Sequence, residues 1–103
     1  MPTEVEITKN LLKETEDALK VAQSRLDNVD KTFADCKERV ASLMREEQFD
    51  AAQNQLLEAK VLCVKLREER ANVQNAEARV HSLKESLVRE QRREAGADKK
   101  KPD

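Results

Sequence analysis

The sequence predicts an all-α chain, an antiparallel helical hairpin or coiled-coil bundle, and three observations carry that prediction. Charged residues make up 40% of the 103 residues while Gly occurs once and Pro twice, so the turns of a sheet protein or a phosphate loop have no material. Two Phe, no Trp and no Tyr leave a sandwich or barrel without its usual strand residues. Apolar residues, at 38%, are too many for a disordered polyampholyte and too few for a thick core, so burial should run along narrow stripes.

Helix one is expected from residue 3 to about 46. Thr3-Glu4-Val5-Glu6 has the Thr-x-x-Glu spacing in which hydroxyl and carboxylate satisfy each other's orphan backbone N–H groups. Val5, Leu12, Leu19, Leu26, Phe33 and Val40 then recur by sevens, with a second row at Thr8, Thr15, Ala22, Val29, Cys36 and Leu43. The two rows alternate 3 and 4 apart, which is the seam of a coiled coil. Outside it lie spaced charge pairs such as Glu16–Lys20 and Asp27–Lys31, each adding a few tenths of a kcal/mol to the helix.

That pattern breaks where Glu47 and Asp50 take the next two seam positions. A fresh seam is expected at Phe49, Ala52, Leu56, Ala59, Cys63 and Leu66, with a phase slip near Glu69–Arg70 before Val73, Ala76, Val80, Leu83 and Leu87. Helix two is therefore placed from about residue 50 to 93, closing a single helical domain over residues 1–95. Residues 96–103, with Gly96 and Lys99-Lys100-Lys101-Pro102, read as a disordered tail.

The alternative is one continuous helix of about 90 residues, about 135 Å long at 1.5 Å per residue. Four observations favour the hairpin. The break falls near the midpoint. Folding there pairs positions that sum to about 96, so that Val40 meets Leu56, Phe33 meets Cys63, Val29 meets Leu66, Ala22 meets Val73 and Leu12 meets Leu83, many of them large against small. The acidic first turns come beside the basic end holding Lys84, Arg89, Arg92 and Arg93. Asp50 is placed as an N-cap, with Phe49 before it folding back on the seam. Against the hairpin stands a turn without Gly or Pro.

Twenty basic residues against twenty-one acidic ones give a net charge of −1, so no overall field draws the chain to nucleic acid or an anionic membrane. The three tail lysines have no aromatic platform beside them and read as a solubilising end. There is no apolar run near 18 residues and the first residues are acidic, so neither a membrane span nor a signal peptide is expected and the place is cytoplasmic. His81, with Glu85 one turn later, has no second ligand or nucleophile and reads as an ordinary flank residue. Cys36 would face residue 60 and Cys63 would face Phe33, so both read as small reduced core residues, not a disulfide or a metal pair. No enzyme, cofactor or metal is expected.

A second apolar stripe flanks the seam. Leu57, Val61 and Val64 follow one another at 4 and 3 on helix two, as do Ile7, Leu11, Ala18 and Val21 at helical spacing on helix one. Two helices cannot cover both seam and flank, so these residues await another helix that widens the core, a second copy or a partner. Leu57, Val61 and Val64 are the candidate anchors for a protein partner, with Glu58, Lys60, Lys65 and Arg67 beside them setting orientation.

Three stretches resemble one family. Ile7-Thr8-Lys9-Asn10-Leu11-Leu12-Lys13 is similar to the early Ile-x-x-Gly-Val-Val-Lys segment of the tubulin-binding cofactor A family, with Asn10 where Gly is expected. Phe49-Asp50 resembles the aromatic-Asp pair that opens that family's second helix, and Leu56-Leu57-Glu58-Ala59-Lys60-Val61-Leu62-Cys63-Val64 resembles its Leu-x-Glu-Ser-Arg followed by three apolar residues and Pro. Val64 stands where that Pro is expected, and the Asp/Gly-rich turn is shortened to Arg45-Glu46-Glu47-Gln48. The resemblance covers about a quarter of the chain. It implies two long antiparallel helices with a short third, a chaperone that captures β-tubulin during folding and microtubule assembly, association with the cytoskeleton, and no nucleotide. A structural coiled-coil scaffold, as a homodimer or a small subunit of a larger assembly, is the competing function.

Overall fold

The structure, a computed structural model, describes residues 2–99. Two helices, α1 (Glu4–Arg45) and α2 (Phe49–Lys99), pack against each other as an all-α hairpin, with no strand among the described residues. Thr3 starts α1 and makes one half of the expected reciprocal cap: its hydroxyl accepts the Glu6 backbone N–H at 3.2 Å and its carbonyl accepts the first helical bond, from the Ile7 N–H at 3.0 Å, while the Glu6 carboxylate makes no return bond to the Thr3 N–H. Glu4 and Glu6 lie in the first turn, where the helix dipole favours negative charge. Mid-helix Thr15 and Thr32 return their hydroxyls to the Leu11 and Asn28 carbonyls at 2.7 and 2.8 Å, which lets polar β-branched residues sit within a long helix.

The turn is made without Gly or Pro. The Gln48 N–H bonds to the Leu43 carbonyl at 2.9 Å and the Glu47 N–H to the Met44 carbonyl at 3.1 Å, the two bonds of a Schellman closure. That closure requires a left-handed residue after the helix end, and Glu47 supplies it with φ 60°. The Gln48 carbonyl then accepts the Ala52 N–H at 3.0 Å, so α2 restarts at once. This corrects the expectation that Asp50 is the N-cap: Gln48 fills that place, and Asp50 lies inside the first turn, acting through the dipole.

The chain divides into two compact units, Met1–Lys20 with Gln74–Asp103 and Val21–Val73. Each joins part of α1 to part of α2. In the first unit Val5, Thr8 and Val80 are buried, and Leu12, Leu19, Ala76, Leu83 and Leu87 are half-buried. In the second, Ala22, Cys36, Ala52, Ala59, Leu66 and Val73 are buried. The helices approach closely there, because the Cys36 thiol reaches across to donate to the Gln55 backbone carbonyl at 3.2 Å. Small residues such as Ala52 and Ala59 permit that approach.

All twelve seam positions read on α1 are buried or half-buried. On α2 two corrections are needed. The inward rows run without a slip, Ala52, Ala59, Leu66, Val73, Val80, Leu87 and Gln55, Leu62, Glu69, Ala76, Leu83, Glu90. Glu69, where a slip was placed, is a half-buried seam residue that happens to be polar, and Phe49 and Leu56, placed on the seam, are 57% and 47% exposed. The pairing departs from expectation near the turn, where Cys36 meets Gln55 in place of residue 60, while Arg25 meets Glu69 within two residues of the expected partner.

The C-terminal boundary is corrected as well. α2 continues past residue 93 to Lys99, so residues 96–99 are helical and not a disordered tail, while residues 100–103 lie outside those described. Gly96 does not stop the helix because it keeps a negative φ with open space around it, at a cost of about 1 kcal/mol relative to Ala. The described residues form no third helix.

Candidate docking face

Leu57, Val61 and Val64 project from α2 within the Val21–Val73 unit, and they are 55%, 69% and 55% exposed. Branched apolar side chains on a helix usually face a core, so three of them open to water at 4 and 3 spacing form an uncovered row. Between the row and α1 lies a shallow apolar groove of about 440 Å³, lined by Thr32, Leu57, Glu58, Val61 and Leu62. Of these, Leu62 is a half-buried seam residue, and the Thr32 hydroxyl already donates to the Asn28 carbonyl, so it brings no unmet donor to the groove.

Glu58, Lys60, Lys65 and Arg67 are all exposed around this row. Among the described residues none of them takes part in an ion pair, and all four are open to solvent. Arg25 by contrast points its Nε at Glu69, 3.7 Å away, where the carboxylate is only 15% exposed. One Glu69 oxygen is buried without a hydrogen bond, so this seam carboxylate is held by charge alone.

A second apolar cluster went unread in the sequence. Met44, Phe49 and Leu56, each about half exposed, surround a cavity of about 240 Å³ beside the turn, with Val40, Ala52 and Gln53 completing it. The sign lies in the companion row: continuing the sevens backward from Leu83 through Ala76 reaches Glu69, Leu62 and Gln55, which puts Leu56 outside the seam once polar Glu69 and Gln55 are accepted as inward. Helix α1 carries its own exposed row, Ile7, Leu11 and Val21 at 47%, 47% and 55%, with Ala18 exposed between them.

The remaining candidate groups stay apart. His81 bonds to Glu85 through Nε2 at 2.9 Å, with both side chains open to solvent. Cys36 is fully buried and Cys63 half-buried, and neither is in a disulfide. Among the described residues no three His, Cys, Asp or Glu gather as metal ligands, and no helix is long and apolar enough to cross a membrane. The Lys37 ammonium lies 4.9 Å from the centre of the Phe33 ring, covering an aromatic face that is only half-buried. The chain matches no family model, no curated protein and no solved structure.

Proposed function

We propose that the chain is a non-catalytic helical chaperone that holds a protein client on the Leu57–Val61–Val64 face of α2, the client being the β-tubulin that the resemblance to tubulin-binding cofactor A implies. The observation that carries the proposal is this uncovered row beside an apolar groove, on a helix whose inward face is already used. Burying such side chains contributes about 1–2 kcal/mol each. Three anchors offset only the low end of the cost of association, about 4 kcal/mol, so a stable complex also draws on contacts around the rim. Lys60, Lys65 and Arg67, opposed by Glu58, supply orientation and encounter rate there. Holding a free subunit in this way needs no chemistry: binding lowers its free concentration and with it aggregation, by mass action. A cytoplasmic place beside the cytoskeleton belongs to the same reading.

The test is size-exclusion chromatography with light scattering of the full chain mixed with dissociated tubulin. One-to-one co-elution is expected, and its loss in Val61→Asp/Val64→Asp with helicity intact. Failure of the unaltered chain to co-elute overturns the client, and undiminished binding by the double variant overturns the face. The alternative of a structural coiled coil draws on a separate observation, the exposed row on α1.

A further inference from the structure

We infer that in the free protein the α2 row Leu57–Val61–Val64 is covered by the α1 row Ile7–Leu11–Ala18–Val21 of a second copy of this chain. Both rows follow the alternating 3 and 4 spacing with which one helix packs on another, Ile7, Leu11, Glu14, Ala18, Val21 on α1 and Leu57, Val61, Val64, Glu68, Ala71 on α2. Both are exposed, so neither finds its partner within its own hairpin.

Charge selects the occupant. The α1 row has Glu4 and Glu14 in line with it and Asp17 at its edge, and the first base on that face is Arg25, which is turned to Glu69. The α2 row is bordered by Lys60, Lys65 and Arg67 against Glu58 and Glu68. An acidic apolar row therefore meets a mildly basic one when α1 of one copy lies on α2 of another, whereas α1 on α1 sets three carboxylates against three. Each copy carries one row of each kind. A net charge of −1 leaves little overall repulsion to keep two copies apart. The inference does not depend on any client, although a client on the same face would have to displace the second copy.

Light scattering of the full chain from about 1 to 100 μM should give twice the 11.8 kDa monomer mass at the upper end. Val61→Glu and Leu11→Glu, each with helicity checked by circular dichroism, should each weaken the dimer about 100-fold or more. Charge reversal tests the pairing without touching an apolar residue. The Glu14→Lys/Asp17→Lys chain and the Lys65→Glu/Arg67→Glu chain should each dimerise about tenfold more weakly alone, and should recover when mixed in equal amounts. A monomer mass at every concentration, a dimer indifferent to Leu11→Glu, or a mixture no tighter than its separate components overturns the inference. A monomer that still captures tubulin removes the dimer alone, and a dimer that ignores tubulin removes the client alone.

Discussion

The turn gives the sharpest test of the hairpin, because one substitution reverses sign between the two architectures. Glu47 holds φ 60°, a left-handed conformation that costs an L-residue about 1–2 kcal/mol and costs Gly almost nothing. Replacing Glu47 with Gly removes that strain and keeps both closing bonds, which use backbone groups. Against this stands the greater freedom of Gly in the unfolded chain, about 0.4–1 kcal/mol. The loss of the Glu47 charge is nearly neutral, since it lies after the negative end of α1 and before the positive end of α2. The net is a gain of about 0.5–1 kcal/mol, or about 2–5 °C in Tm for a chain of this size. Ala41→Gly is the control: Ala41 is exposed within α1, so the same residue type should destabilise there by about 1 kcal/mol. Thermal and urea unfolding followed by circular dichroism at the helical band measures both. If Glu47→Gly lowers the midpoint as Ala41→Gly does, residue 47 lies within a continuous helix and the turn reasoning is refuted.

Two further outcomes follow from the buried seam. Cys63 should react with a thiol reagent within the time its partial exposure permits, whereas Cys36, fully buried with its thiol on the Gln55 carbonyl, should label only through unfolding; equal rates in the native protein would contradict its placement. Glu69→Leu should stabilise the hairpin by about 1–2 kcal/mol, because it removes a carboxylate oxygen buried without a hydrogen bond and frees Arg25, which is already 59% exposed, to solvent; a loss in urea midpoint would show the ion pair to be net stabilising.

Helix α1 was legible almost residue for residue, since its seam is filled by apolar or small residues at every third and fourth place and its first turn carries its own cap. Helix α2 was legible in outline only. Its row of sevens is wholly apolar, Ala52 through Leu87, yet the companion row contains Gln55, Glu69 and Glu90. A reading that follows hydrophobicity steps off that row to Leu56 and Cys63, then needs a slip near Glu69 to return. Gln55 is tolerable inward because its backbone carbonyl and side-chain oxygen lie 3.2 and 3.7 Å from the Cys36 thiol, and Glu69 because Arg25 stands beside it. Such compensation comes from the facing helix, so it is invisible along one helix's own sequence. The turn was hidden for a similar reason: its left-handed residue is chosen by the closing bonds of residues 43–48, and Glu carries no sign of it.

The candidate face was more legible than the seam it flanks. Leu57, Val61 and Val64 fall outside the inward arc whether that arc runs through Leu56 and Cys63 or through Gln55 and Leu62, since one residue of error rotates a helix by about 100° and the three sit well away from both readings. Their exposure is thus insensitive to the register mistake, while that of Leu56 and Phe49 is not. The same geometry explains why Met44, Phe49 and Leu56 escaped notice as a cluster: they surface only once α2 is rotated to its true seam, and they gather only because the turn ends α1 at Arg45 and restarts α2 at Phe49. Among the described residues Cys36 is the one side chain larger than a methyl that is fully buried, while the protein leaves Ile7, Leu11, Leu57, Val61 and Val64 exposed on its flanks. Its stability therefore depends on what those flanks meet. For that reason, the dissociation constant of the chain with itself, compared with that for a client, decides which of the two occupies Val61 under given conditions.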